Sequence, residues 1–165
     1  IEAKGNILDK SVRALYLNHG EISEIKERLR SNNLYGRRFL KVLLLKIDEH
    51  LSGGGANYDY PLISIEHVLP QNPATSSKWL KQFNDDHRIA LTNSLGNLLL
   101  LTRRKNSSAR NYDFQDKIEK YFTAKNGISP FVITTQVLNT KEWLPAIVSD
   151  RTENLAVVAE QLLEI

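Results

Sequence analysis

Glu66 and His67 stand side by side in the segment SIEHVLPQ, and two asparagines follow at a distance, Asn97 in LGNLLLLT and Asn106 in RRKNSSARN. Hydrolysis of a phosphodiester needs a base to deprotonate water, a cation to neutralise charge on the phosphate, and a means of stabilising the leaving oxygen. An imidazole can supply the first. A carboxylate with amide oxygens can hold the second, and such hard donors suit Mg²⁺ or Mn²⁺ better than a thiolate-seeking metal. The chain has no cysteine, which excludes disulfides, cysteine nucleophiles and Cys-based zinc sites.

The elements that must position these groups read as a strand, a long loop, a strand and a helix. Ile63 and Ile65 alternate with polar neighbours and predict a short strand ended by Pro70. Trp79, Leu80 and Phe83 predict a brief helical turn that Asn84, Asp85 and Asp86 end. The apolar run after Gly96 is short enough to favour a strand. Phe114, Ile118, Tyr121 and Phe122 share one helix face, with Asp113 at its start.

Upstream, residues 7–51 carry helical stripes, Ile22, Ile25 and Leu29, then Leu40, Leu43, Leu44, Ile47 and Leu51, and Gly53, Gly54 and Gly55 break the pattern. Beyond Pro130, Trp143, Ile147, Leu155, Val158 and Leu162 predict a long helix or a helix pair, with Pro145 near a helix start. Trp79 and Trp143 are expected to anchor the core, and His19, His50 and His87 to be surface or structural residues.

Together, SIEHVLPQ and LGNLLLLTRRKNSSARN resemble the HNH, or His-Me finger, pattern, in which an acid-His pair precedes Ile or Val and Pro, and an Asn-strand-Asn block follows. The similarity continues through NYDFQDKIEKYF and a W…R…LA tail to the nuclease domain of GmrSD-type, modification-dependent restriction endonucleases. It covers nearly the whole chain and is strongest from Ile63 to Phe122. The resemblance implies a DNA endonuclease using one divalent cation, with His67 activating the attacking water, Asn97 orienting the loop and the His67 ring, and Glu66 and Asn106 as metal ligands. Asn111 resembles a further recurrent polar position. A bacterial, cytoplasmic role in restriction or phage defence is implied, as is an upstream nucleotide-hydrolysing sensor domain. One departure is that many HNH enzymes carry Asp where this chain has Glu66, one methylene longer, so its metal contact can run through water. Neighbouring residues on a regular strand also face opposite ways, so Glu66 and His67 line one site only if the strand distorts or ends there.

Each residue has a structural role open to it as well. His67 can be a core histidine, Glu66 a surface acid, Asn97 a turn residue and Asn106 a helix cap beside Ser107 and Ser108. Arg103, Arg104 and Lys105, with Arg110, form a solvated face or, beside a phosphate site, bind the DNA backbone.

Net charge is +3 over 165 residues, but it is unevenly spread. Between Lys26 and Lys46 lie seven basic residues and one acid, Glu27, whereas the tail from Lys141 is mainly acidic. The basic regions fit a polyanion. No apolar run is long enough to span a membrane, and the absence of methionine predicts that a portion upstream of Ile1 has been removed. The expected architecture is a mainly helical α+β domain over 1–165: a helical part at 1–52, a ββα-metal (His-Me finger) core at 62–122 and C-terminal helices at 123–165. Two other function classes compete with a nuclease: a non-catalytic nucleic-acid-binding module and a regulatory domain that binds a protein through its acidic tail. Neither needs the acid-His and Asn-Asn set.

Overall fold

A capping box starts the first helix, α1 (His19–Arg30): the Asn18 side chain accepts from the Glu21 N–H at 3.0 Å, and the Glu21 carboxylate accepts from the Asn18 N–H at 2.8 Å. In the computed structural model, which describes residues 17–55, 58, 62–102, 111–119 and 129–165, the expected helical stretch becomes two helices. Between α1 and α2 (Leu40–Leu51) runs a turn in which Gly36 takes φ +85°. α2 buries Leu40, Leu44 and Ile47, an i, i+4, i+7 stripe. It stops where expected, because Gly53 and Gly54 adopt positive φ.

Strand β1 (Ile63–His67) pairs antiparallel with β2 (Leu98–Thr102), placing Ile63 opposite Thr102 and His67 opposite Leu98. The connection holds α3 (Trp79–Gln82), α4 (Asp85–Leu91) and a 3₁₀ turn (Leu95–Asn97). The brief helix ends just before Asn84, as expected, and Asn84, Asp85 and Asp86 also begin a further helix that the sequence did not announce. The Asn84 side chain accepts from the His87 N–H at 2.8 Å, and the two aspartates sit in the first turn, where the helix dipole favours negative charge.

β2 explains its own apolar run. Leu98 and Leu100 enter a cluster with Leu40, Leu44, Ile47, Phe131 and Leu155, while Leu99 and Leu101 enter a second with Trp79, Phe83, Phe114 and Trp143. A strand with apolar packing on both sides has no polar face to alternate.

After β2 come α5 (Phe114–Lys117), α6 (Val132–Leu138) and α7 (Pro145–Leu163). Asp113 precedes α5 as expected, yet its carboxylate accepts from the Ser77 hydroxyl at 2.5 Å and the Lys78 N–H at 3.1 Å, tying α5 to the start of α3. Buried Asp48 ties α2 to α6 by accepting from Ile133 N–H and Tyr58 O–H, each at 2.8 Å. Pro145 occupies the first turn of α7, where no N–H is required. Residues 7–16 and the Tyr121 and Phe122 positions of the expected helices lie outside the described residues. What is described is α+β and mainly helical, seven helices with one two-stranded sheet. Among the described residues, no helix is long and apolar enough to cross a membrane.

α7 approaches the 3₁₀ turn so closely that a Cβ on Gly96 would stand 2.2 Å from the Val148 carbonyl oxygen and 2.6 Å from the Thr152 nitrogen. Those are backbone atoms of a packed helix and cannot swing aside. Gly96→Ala is expected to cost at least about 2 kcal/mol, lowering the melting temperature by roughly 4–8 °C for a domain of this size. An unchanged thermal transition would mean that α7 can retreat freely.

Candidate active site

The 3₁₀ turn delivers Asn97 into the interior, where it is fully buried. Its Oδ1 accepts from the Leu69 N–H at 2.8 Å and the Trp143 indole N–H at 3.1 Å; its Nδ2 donates to the carbonyls of Leu69 at 2.9 Å and Thr92 at 2.7 Å. A side-chain amide has two donor hydrogens and two acceptor lone pairs, so all are used. The Asn97 carbonyl also accepts from Val68 N–H at 3.0 Å. Asn97 therefore clamps the two residues that follow His67, and it stands behind the site rather than in it.

The His67 ring is held by a residue the sequence reading did not single out. His67 is 7% exposed, and its Nε2 lies 3.0 Å from Asn93 Oδ1. An amide oxygen only accepts, so Nε2 carries the proton and Nδ1 keeps its lone pair. Gln71 donates to the same oxygen at 3.2 Å. The Tyr35 ring meets the imidazole edge-on, with centroids 4.3 Å apart. Burial, with a smaller contribution from the Lys117 charge, pushes the His67 pKa down to about 4, against a weaker upward pull from Asn93.

Glu66 accepts a hydrogen bond from Lys117 Nζ at 2.9 Å, and the same ammonium donates to the His67 carbonyl at 2.6 Å. Lys117 is only 3% exposed. Burial raises the Glu66 pKa and lowers that of Lys117, and each charge opposes the shift of the other. Losing either partner would strand a buried charge, a change typically costing about 3–5 kcal/mol.

A polar cleft of about 290 Å³ opens over the end of β1, with Tyr35, Glu66, His67, Gln71, Asn72 and Asn111 in its wall. Glu66 and His67 both reach it because β1 ends at His67. Of the expected site residues, the structure thus brings together Glu66, His67 and Asn111 and places Asn97 behind them. Asn106, Arg103, Arg104, Lys105 and Arg110 lie outside the described residues. A larger groove of about 430 Å³, between α1, α2 and the end of α7, is lined mainly by aliphatic side chains such as Ile25, Leu43 and Leu162, and its charged lining residues, Arg28 and Lys46, are already paired with Glu24 and Glu49.

Among the described residues no three His, Asp or Glu side chains gather into a metal cage. The donor set nevertheless fits a hard cation of the Mg²⁺ type, which binds through one or two carboxylates and keeps water and substrate phosphate as its other ligands. Glu66 with the amides of Gln71, Asn72 and Asn111 offers oxygen donors of that kind.

The sequence held a signal for two of the residues it did not reveal. Lys117 falls on the Phe114 and Ile118 face, where a lysine at apolar spacing has to find a partner. Asn93 lies four residues before Asn97 in LTNSLGN. Tyr35 offered none, since its contact with His67 depends on how the turn after α1 packs.

Residues 20–158 match the family described as GmrSD restriction endonucleases, C-terminal domain. The chain belongs to that family. No curated protein matches it.

Because folded His67 resists protonation down to about pH 4 while an unfolded imidazole titrates near 6.5, the unfolded chain binds more protons between those values. The stability contributed by neutral His67 is full above about pH 6.5 and is lost as pH falls toward 4. An NMR titration of the ring should give a midpoint near 4. A midpoint near 6.5 would contradict the burial described here.

Proposed function

We propose that this chain is a nuclease domain that hydrolyses DNA phosphodiester bonds, with His67 as the general base and one divalent cation, Mg²⁺ or Mn²⁺, as cofactor. The observation that carries the reading is a neutral imidazole fixed through Nε2 to Asn93, with no partner for Nδ1 among the described residues, in a polar cleft beside a carboxylate. That is the arrangement a base needs to take a proton from water. Membership of a restriction endonuclease family supports the substrate class.

In this reading β1, β2 and α5 form the ββα finger of an HNH enzyme. Glu66 and Asn106 hold the cation, which when bound neutralises charge on the phosphate. Lys117 fixes Glu66 and the His67 carbonyl; Asn97 fixes the loop after His67; Asn93 selects the tautomer. Arg103, Arg104, Lys105 and Arg110 bind backbone phosphates. The domain serves restriction or phage defence in a bacterial cytoplasm, guided by an upstream sensor domain or subunit.

A second reading, binding without cleavage, draws on the Glu66–Lys117 pair, which satisfies the carboxylate without any metal ion. Nicking of supercoiled plasmid separates the two. The chain should nick with Mg²⁺ or Mn²⁺ and stop in EDTA, and His67→Ala should fall at least about a hundredfold. Equal rates for parent and mutant would remove His67 as the base, and an inert parent would favour binding alone.

Asn93→Ala frees the imidazole to rotate and change tautomer without touching a phosphate contact. Its kcat should drop on the order of tenfold or more with KM little changed. A variant whose KM alone rises would put Asn93 in substrate binding instead.

A further inference from the structure

The seven basic residues between Lys26 and Lys46 are not equivalent in the fold. Four are paired with carboxylates: Lys26 with Glu160, Arg28 with Glu24, Arg30 with Glu153 and Glu160, and Lys46 with Glu49. The other three, Arg37, Arg38 and Lys41, are exposed and form no ion pair among the described residues. The unpaired positive charge of this region is thus gathered in the first turn of α2 and in the turn that leads into it from α1. That same turn supplies Tyr35, 40% exposed, to the wall of the His67 cleft and sets its ring edge-on against the imidazole.

We infer that the segment Tyr35–Lys41 is a DNA-strand binding site at the rim of the His67 cleft, with Tyr35 packing against a nucleotide and Arg37, Arg38 and Lys41 on backbone phosphates. The inference rests on the nuclease reading for its ligand. Arg37 and Arg38 follow Tyr35 within three peptide units, so their Cα atoms lie no more than about 11 Å from its own. Three steps along a DNA strand rise about 10 Å. A phosphate placed at His67 therefore has neighbours within reach of both guanidinium groups. The approach is open: a Cβ built on Gly36 meets nothing within 4 Å. Gly36 holds φ +85°, a conformation that lets the turn reverse direction between the aromatic and the cations. An aromatic face accepts any base or sugar and exposed cations carry no sequence information, so this site would grip a strand without reading it.

The test is fluorescence anisotropy of the chain with a labelled duplex in EDTA, across a series of salt concentrations. A variant with Arg37→Gln, Arg38→Gln and Lys41→Gln should lower the slope of log K against log salt by about 0.9 per lost contact, whereas Lys46→Gln, a charge already paired with Glu49, should leave it unchanged. Tyr35→Phe should bind like the parent, and Tyr35→Ala should bind roughly 5- to 100-fold more weakly, with circular dichroism melts showing that each variant is folded. A triple variant that keeps the parental slope overturns the inference, as does Tyr35→Ala at parental affinity or a parent whose binding ignores salt. Plasmid nicking, run in parallel, keeps the two ideas apart. Salt-dependent binding lost in the triple variant of a chain that does not nick would sink the nuclease reading and uphold this site, and a nicking parent with an unaffected triple variant would do the reverse.

Discussion

The rest of the structure hangs on one buried amide. Asn97 joins three stretches of chain that share no secondary-structure hydrogen bonds: the loop after β1 through Leu69, the end of α4 through Thr92, and the approach to α7 through Trp143. Its neighbour Gly96 has no side chain to keep α7 away, and Gly96 N–H donates to the Thr152 hydroxyl at 3.1 Å. An apolar residue at position 97 would leave two backbone groups of Leu69 without partners in the core, each such loss costing about 1–3 kcal/mol. The position of His67 is therefore set from behind, by a residue that never meets the cleft.

Much of this was legible in the residues because local chemistry agreed with the fold. Glycines at 53 and 54 stop α2, Pro145 opens α7, and the leucines after Gly96 form a strand with apolar packing on both sides. The helix after Asn84 is instructive in the same terms, since Asn and Asp serve both to leave a helix and to enter one, and here they do both, with Leu91 of the new helix packed against the second cluster. Glu66 and His67 were visible as a pair. That they open on one cleft depends on β1 ending at His67, and the hold on the ring by Asn93 depends on the 26-residue connection folding back on itself.

Buried charge was the least legible property. Lys117 lies between Glu66 and the His67 carbonyl; its apolar spacing signals a buried lysine, but not which groups receive it. Arg151 is a sharper case: its guanidinium donates to the carbonyls of Gly96, Leu98 and Ile133, with no carboxylate in an ion pair with it among the described residues. Burial pushes its pKa down to about 10, still far above neutrality. Both cations bond to the backbone around β1 and β2, Lys117 on the carbonyl of His67 and Arg151 on that of Leu98, the residue paired opposite. Carbonyls already engaged by fixed cations cannot drift, so the His67–Leu98 pair that closes this end of the sheet is pinned from both strands.

On the nuclease reading, His67 is a base with a pKa near 4 and at first sight a poor one, since proton transfer is most efficient when the base titrates near the working pH. The same burial that weakens it keeps the ring unprotonated at neutral pH. An anionic phosphate entering the cleft then acts in the opposite direction to Lys117, favouring the imidazolium and raising the affinity of Nδ1 for a proton. On the nuclease reading, the base gains strength only when the substrate is in place. On the same reading, Arg37, Arg38 and Lys41 draw the strand in from outside the cleft, while Lys117 stays hydrogen-bonded to Glu66. A histidine in an open, solvated site would titrate near neutrality and lose this coupling, so on the nuclease reading the enclosure of His67 by Tyr35, Asn93 and the Asn97-held loop serves its chemistry as much as its packing.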